Sequence, residues 1–239
     1  MSEHDFRHSD DSVDHYTPFD ITEAEHDVFG GIDFDPASCA AANRIVGARR
    51  FYTVADNGFS RIWRARTAHV NPPGGKCDVT GRPVYTATKK RRSCLETGSC
   101  GLPPGRRDGD VLIPGHAHEG VTSSAKAWWF KLALSYELFD VESAFFIVFN
   151  LDIFHTTQVK TPVFEDPATG ELRLLPTPLD FDFCIPSVRL EYLYEGEDGS
   201  LHSGKSPTHA SAIILLSRDD AVRRAFQTRF SDFGKVKMA

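Results

Sequence analysis

Gly31-Ile-Asp-Phe-Asp-Pro-Ala-Ser38 is the stretch on which the fold turns. Ile32 and Phe34 alternate with Asp33 and Asp35, the period of a short strand, and Asp35-Pro36 ends it. Upstream, Ile21 to Phe29 has a helical pattern, broken by Gly30-Gly31. Downstream, Ala37 to Val46 is alanine-rich and predicted helical, and Phe51-Tyr-Thr53 is a second short strand. Asp56-Asn57-Gly58 is a turn signature. Strand, helix and strand in succession predict an α/β sheet, whose ligands bind at the carboxyl ends of the strands. His69-Val-Asn71 ends a further strand against Pro72-Pro73-Gly74-Gly75, so Asp35-Pro36 and Asn71-Pro72-Pro73 both fall at strand ends.

Residues 74–122 differ from their surroundings. They are rich in Gly, Pro, Lys and Arg and poor in large aliphatics, and they read as an inserted basic lobe or loop. Ser123-Ser124 is an expected N-cap for a helix running through Ala127, Trp128, Phe130, Leu132, Leu134 and Leu138. Ser143 to Asn150 is continuously apolar, as in a strand covered on both faces. Leu151 to Val159 is expected as a short helix and Phe164 to Thr177 as a polar loop. Three strands, Asp180 to Ile185, Arg189 to Tyr194 and Ala212 to Leu216, are expected to complete the sheet. A helix from Asp219 to Phe233 follows.

The chain has 239 residues, 41% apolar and 25% charged, enough for a packed core in one domain. No stretch approaches the roughly 18–20 apolar residues of a membrane span. The first residues are acidic and lack the apolar core of a secretory signal, so residues 1–15 are expected to be a disordered leader before a domain at 16–239. The net charge of −6 is segregated: residues 1–30 hold nine acids against Arg7, leaving 26 bases and 24 acids beyond them. An acidic balance so divided does not exclude a nucleic-acid partner. Five scattered cysteines without a signal read as reduced thiols of a cytoplasmic protein.

Taken in order, these motifs resemble the phage-type DNA N6-adenine methyltransferases related to Dam. The residues that carry the resemblance are Tyr16-Thr17-Pro18, Gly31 to Ser38 with Ala42-Asn43, Phe51-Tyr-Thr53, Asp56 to Phe59 with Trp63, and Asn71-Pro72-Pro73. Trp128-Trp129-Phe-Lys-Leu132, Cys184-Ile-Pro186, Arg189-Leu190 and Ser206 to Ala210 continue the series. The resemblance implies a Rossmann-like sheet that binds S-adenosylmethionine. It assigns cofactor contacts to Tyr16, Thr17, Pro18, Asp35, Pro36, Ala37 and Asp56, with Ala and Ser where the family usually has glycines. It assigns the chemistry to Asn71, Pro72, Pro73 and Gly74. There the Asn71 oxygen and the Pro72 carbonyl would accept protons from a flipped-out adenine amine and localise its lone pair. It also implies a phage or prophage origin, hence the host cytoplasm.

Gly74 departs from the pattern, because the family usually stacks a Tyr or Phe on the target base, worth about 1–3 kcal/mol. The chain is similar to a subgroup with Asn-Pro-Pro-Gly-Gly-Lys at this place, and Tyr85, Trp128 or Trp129 could supply the aromatic face instead. The departure leaves a second reading open, a methyltransferase-fold protein that binds cofactor or DNA without turnover or with altered specificity. A remote third is a two-histidine phosphoesterase built on His155-Thr-Thr157 and His209-Ala-Ser211, which would need both on adjacent strands. Lys89, Lys90, Arg91 and Arg92 are candidate phosphate contacts, equally a solvated patch. Cys77, Cys94, Cys100, His116 and His118 are weak metal candidates, because they lack a close Cys-x2–4-Cys pair, and no metal is expected.

Overall fold

The computed structural model describes residues 15–56, 58–73, 78–79, 85–86, 111–112, 121–122, 125–158, 161–166, 168–205 and 209–239. The first half holds α1 (Phe19–Phe29), β1 (Phe34–Asp35), α2 (Ala40–Val46), β2 (Arg50–Phe51), a 3-10 turn at Gly58–Ser60, and β3 (Ala65–Val70). Gly30 ends α1 in the left-handed conformation, φ 71°, and its N–H reaches the His26 carbonyl at 2.7 Å. Four two-residue strands follow: β4 (Asp78–Val79), β5 (Tyr85–Thr86), β6 (Val111–Leu112) and β7 (Val121–Thr122). The second half holds α3 (Ala125–Glu137), β8 (Val141–Val148), α4 (Asp152–Thr156), β9 (Val163–Glu165), β10 (Leu172–Leu174) and β11 (Asp182–Pro186). It closes with β12 (Tyr192–Glu195), β13 (Leu201–Lys205), β14 (Ala212–Ser217), α5 (Asp220–Phe230) and β15 (Gly234–Lys237).

The fold is α/β, as expected. Seven strands form one mixed sheet in the order β15-β11-β14-β8-β3-β1-β2. β2, β1, β3 and β8 are mutually parallel, and β14, β11 and β15 add antiparallel pairs. β8 is the hub, and its side chains alternate between two cores. Ala144, Phe146 and Val148 face α3, whereas Phe145 and Ile147 face α1 and α5.

Two expectations need correction. Phe164 to Thr177 is not a plain loop: β9 and β10 pair antiparallel around a turn at Asp166 to Glu171. Tyr192 to Glu195 does not join the main sheet but pairs with β13 in a separate hairpin. The main sheet instead ends on β15, which follows the last helix. Within the basic insert, β4 pairs with β7, and β5 and β6 join the β9–β10 hairpin as a second sheet.

Trp128 and Trp129 lie in the core, 4% and 0% exposed. The Trp129 indole donates to the Pro176 carbonyl at 3.1 Å, and Trp128 stacks on Trp63. Beside them Lys131 is wholly buried against the Trp63 ring and donates to the Arg61 carbonyl. Burial pushes its pKa down to about 7, with Asp140 opposing. The unfolded chain therefore binds this proton across a window from about pH 7 to 10.5 where the folded chain does not, so the lysine's penalty is full below pH 7 and fades above it. Lys131→Met is expected to raise the melting temperature, equivalent to a few kcal/mol at pH 6 and progressively less toward pH 10. A gain that is the same at both pH values would remove the charge as its cause.

Candidate active site at the carboxyl ends of β1 and β3

The chain leaves β1 through α2 to β2 on one side and later returns to β3 on the other. That reversal is the place where an open α/β sheet forms a crevice beyond its strand ends. Asp35 is the last residue of β1, and Asn71 directly follows β3. Phe34 is in register with Ala68, which sets Asp35 level with His69.

Asp35 is 2% exposed, and its Oδ1 accepts the Ala37 N–H at 3.0 Å. Burial raises its pKa, opposed by the charge of His69 and by hydrogen bonds from Ala37 and Ser38. Pro36 to Ser38 thus turn around the carboxylate, and the Ser38 N–H ties the turn to the Tyr52 carbonyl at 2.9 Å. Gly58 presses on the same turn: a Cβ there would lie 1.9 Å from the Pro36 carbonyl oxygen. Asp56 closes its own turn, accepting the Thr53 N–H and hydroxyl at 2.8 Å each, and these bonds lower its pKa. Its carboxylate is engaged locally, which is a turn-closing role beside the expected cofactor contact.

Thr17 and Asn71 meet. Asn71 Nδ2 donates to Thr17 Oγ1 and to the His15 carbonyl, both at 3.0 Å. Thr17 Oγ1 lies 3.2 Å from His69 Nε2, and His69 Nδ1 lies 2.6 Å from Glu25 Oε2. Glu25, His69 and Thr17 are 0%, 1% and 1% exposed. Burial disfavours a charged His69 ring, but Glu25 and, more weakly, Asp35 outweigh it and raise the pKa. Two buried side-chain atoms in this chain of contacts, Glu25 Oε1 and Asn71 Oδ1, have no hydrogen-bond partner among the described residues. Orphaned buried acceptors are uncommon and point to an unfilled role.

Comparison with known protein families, with curated proteins and with solved structures finds no match to this chain.

The remaining expected residues sort as follows. Tyr16 bridges to Leu193 of β12, and its hydroxyl faces Cys39 at the start of α2, where it packs against the wall of the fold. Pro18 precedes α1, and its carbonyl accepts the Thr22 N–H at 3.1 Å. Pro72 is buried and Pro73 exposed. His15 belongs to the fold and not to a leader, since its ring packs near Phe149 and Tyr192. Gly74, Lys89, Lys90, Arg91, Arg92, Cys77, Cys94, Cys100, His116 and His118 lie outside the described residues, and Tyr85 is described only as strand backbone. Among the described residues no group of three His, Cys, Asp or Glu could hold a metal, and no helix is long and apolar enough to cross a membrane. His155 sits exposed on α4 and His209 in a bend, so the two His-x-Ser/Thr elements do not lie on adjacent strands. A cleft of about 180 Å³ lined by Tyr136, Asp182 and Arg223 opens at the opposite rim of the sheet. Its carboxylate and guanidinium are paired with each other at 2.7 and 2.9 Å.

Glu25 and His69 were not singled out from sequence. Glu25 was counted with the acidic N-terminal segment, yet it is buried on α1 together with Ile21, Thr22, Ala24 and Val28. An acid within that apolar stripe was the available signal. For His69 the signal was a polar residue at every second place of a buried strand, Thr67, His69 and Asn71, against Ala68 and Val70.

Proposed function

We propose that the protein transfers a methyl group from S-adenosylmethionine to the N6 amine of adenine in DNA. The supporting observation is the meeting of Thr17, His69 and Asn71 beside Asp35 at the switch point of the sheet, with Asn71 Oδ1 left as an unpaired acceptor. When bound, the cofactor supplies an electrophilic methyl on a cationic sulfonium. Two buried carboxyl groups, Glu25 and Asp35, both act on the His69 ring, an acidic setting that supports a cationic ligand. Small residues at Pro36, Ala37 and Ser38 let the backbone come close to a ligand.

In this reading Asn71 Oδ1 accepts one N–H of the exocyclic amine and the Pro72 carbonyl the other. The amine lone pair, otherwise delocalised into the ring, is then directed at the methyl carbon. With the cofactor bound, the nitrogen–carbon bond would form as the carbon–sulfur bond breaks, the sulfur would keep the electron pair, and the methylated amine would release one of its two protons to solvent. This is positioning and electrostatic preorganisation.

Mass spectrometry of nucleosides from unmethylated DNA incubated with protein and S-adenosylmethionine tests the reading. N6-Methyladenine is expected; a folded protein that yields no new methylated base would sink it. One observation favours the second reading, a cofactor- or DNA-binding protein without turnover. Trp128 and Trp129, two candidates to replace the missing aromatic at Gly74, are core residues. Cofactor affinity without a methylated product would single that reading out.

Asp35→Asn separates binding from stability. The amide keeps an acceptor for Ala37 but removes a buried negative charge. Because burial raises the Asp35 pKa, the carboxyl favours the folded state at acid pH and loses that contribution as pH rises through the raised value. The variant is therefore expected to melt no lower than wild type at pH 7, while cofactor affinity falls roughly tenfold or more. Calorimetric titration checks it; an unchanged dissociation constant would move the cofactor site elsewhere.

A further inference from the structure

The Asn71 amide has a defined orientation. The His15 carbonyl can only accept, so the group facing it must be the nitrogen. That nitrogen also donates to Thr17 Oγ1, which leaves the Thr17 hydroxyl proton free to go to His69 Nε2. Nε2 accepts it when the neutral ring carries its proton on Nδ1, the nitrogen that faces Glu25 at 2.6 Å. The donors then run in one direction, from Asn71 through Thr17 and His69 to Glu25. The ionisable groups acting on the His69 ring are Glu25 from α1 and Asp35 from β1. None of these bonds joins near neighbours in sequence, so the order is made only in the folded chain.

We infer that Glu25 and His69 are positioning residues for Asn71: linked through Thr17, they hold its amide nitrogen inward and keep Oδ1 as the acceptor for a ligand N–H. Its catalytic consequence rests on the function proposed above; the relay itself does not. Protonating His69 turns Nε2 into a donor toward Thr17 Oγ1, which then receives two donors and must send its own proton elsewhere. The hold on Asn71 therefore depends on the protonation state of His69.

Nuclear magnetic resonance on the full chain, without cofactor or DNA, tests the relay. Long-range proton–nitrogen spectra report the tautomer and titration of each histidine ring. In wild type, the Asn71 side-chain amide signals are expected to shift with the same midpoint as His69. In Glu25→Gln, both midpoints are expected to fall together, by about 1 in pH or more. Asn71 signals indifferent to the His69 titration would overturn the relay, and this arm needs no variant to fold. The kinetic arm uses saturating S-adenosylmethionine and unmethylated DNA. Thr17→Val, similar in shape but lacking the hydroxyl, is expected to lower kcat about tenfold with little change in KM for DNA, and Thr17→Ser to restore it. A Thr17→Val enzyme with full kcat would overturn the positioning role. Coupled His69 and Asn71 titrations in a protein that transfers no methyl group would overturn the proposed function alone and leave the relay standing.

Discussion

Asn71→Ala is expected to reduce methyl-transfer turnover by at least about a hundredfold while cofactor affinity changes little. Its oxygen is the acceptor assigned to the reacting amine, and removing one preorganised hydrogen-bonding group from a reacting centre typically costs about 10²–10³ in kcat. The amide nitrogen has a separate task, binding Thr17 and the His15 carbonyl. Alanine removes both, yet Thr17 keeps its contact with His69, and the Asp35 turn is held by Ala37 and Tyr52 and does not depend on Asn71. The loss should therefore appear in kcat at saturating cofactor. Asn71→Asp is a poor substitute, because a carboxylate oxygen would face the His15 carbonyl. Single-turnover methylation assays with titration of S-adenosylmethionine measure both quantities. A wild-type rate in the alanine variant would remove Asn71 from the chemistry.

The largest loss of stability is expected from Gly58→Ala. The added Cβ would sit 1.9 Å from the Pro36 carbonyl oxygen and 3.1 Å from the Tyr52 Cβ. The nearest obstacle is backbone, so no rotamer change relieves it and one of the two turns has to move. Overpacking of this kind costs about 1–3 kcal/mol and sometimes more. For a chain of this size that lowers the melting temperature by roughly 3–10 °C. The displaced turn is the one wrapped around Asp35, so cofactor affinity should fall as well. Whereas Gly58 has the close contact and no left-handed φ, Gly170→Ala is the opposite case: its φ of 70° is unsuited to alanine, but nothing lies within 4 Å of its Cβ. It should cost only about 1 kcal/mol and leave binding untouched. A Gly58→Ala variant that melts with wild type would remove the contact with Pro36 as the reason for the glycine.

Legibility in the sequence followed local pattern strength. α1, α2, α3 and α5 were visible because apolar residues recur at helical spacing and Gly30 and Gly47 stop two of them. β8 was visible as an unbroken apolar run. β9, β10, β13 and β15 were not. β10 is exposed throughout, and β15 alternates half-exposed and exposed residues, so neither buries an apolar face of its own. Such strands form because a neighbour offers unpaired backbone groups, and strand preference is set by that context more than by residue type. The segment from Asp166 to Glu171 turns a hairpin where a loop was expected.

The site divides in the same way. Asp35 and Asn71 could be placed at strand ends from Pro36 and Pro72 alone, and their neighbourhood followed from the α/β alternation. Sequence by itself therefore determined the α/β class, the double-sided burial of β8, and the two strand ends where chemistry would sit. The tertiary structure decided which side chains meet there. Glu25, His69, Thr17 and Asn71 come from α1, β3 and the segments flanking them, and the contacts of Asn71 and His69 with Thr17 and Glu25 span 44 to 54 positions. No periodicity of 2 or 3.6 encodes a bond of that range. It exists because parallel pairing of β3 between β1 and β8 brings His69 beneath α1, where the carboxylate of Glu25 is buried.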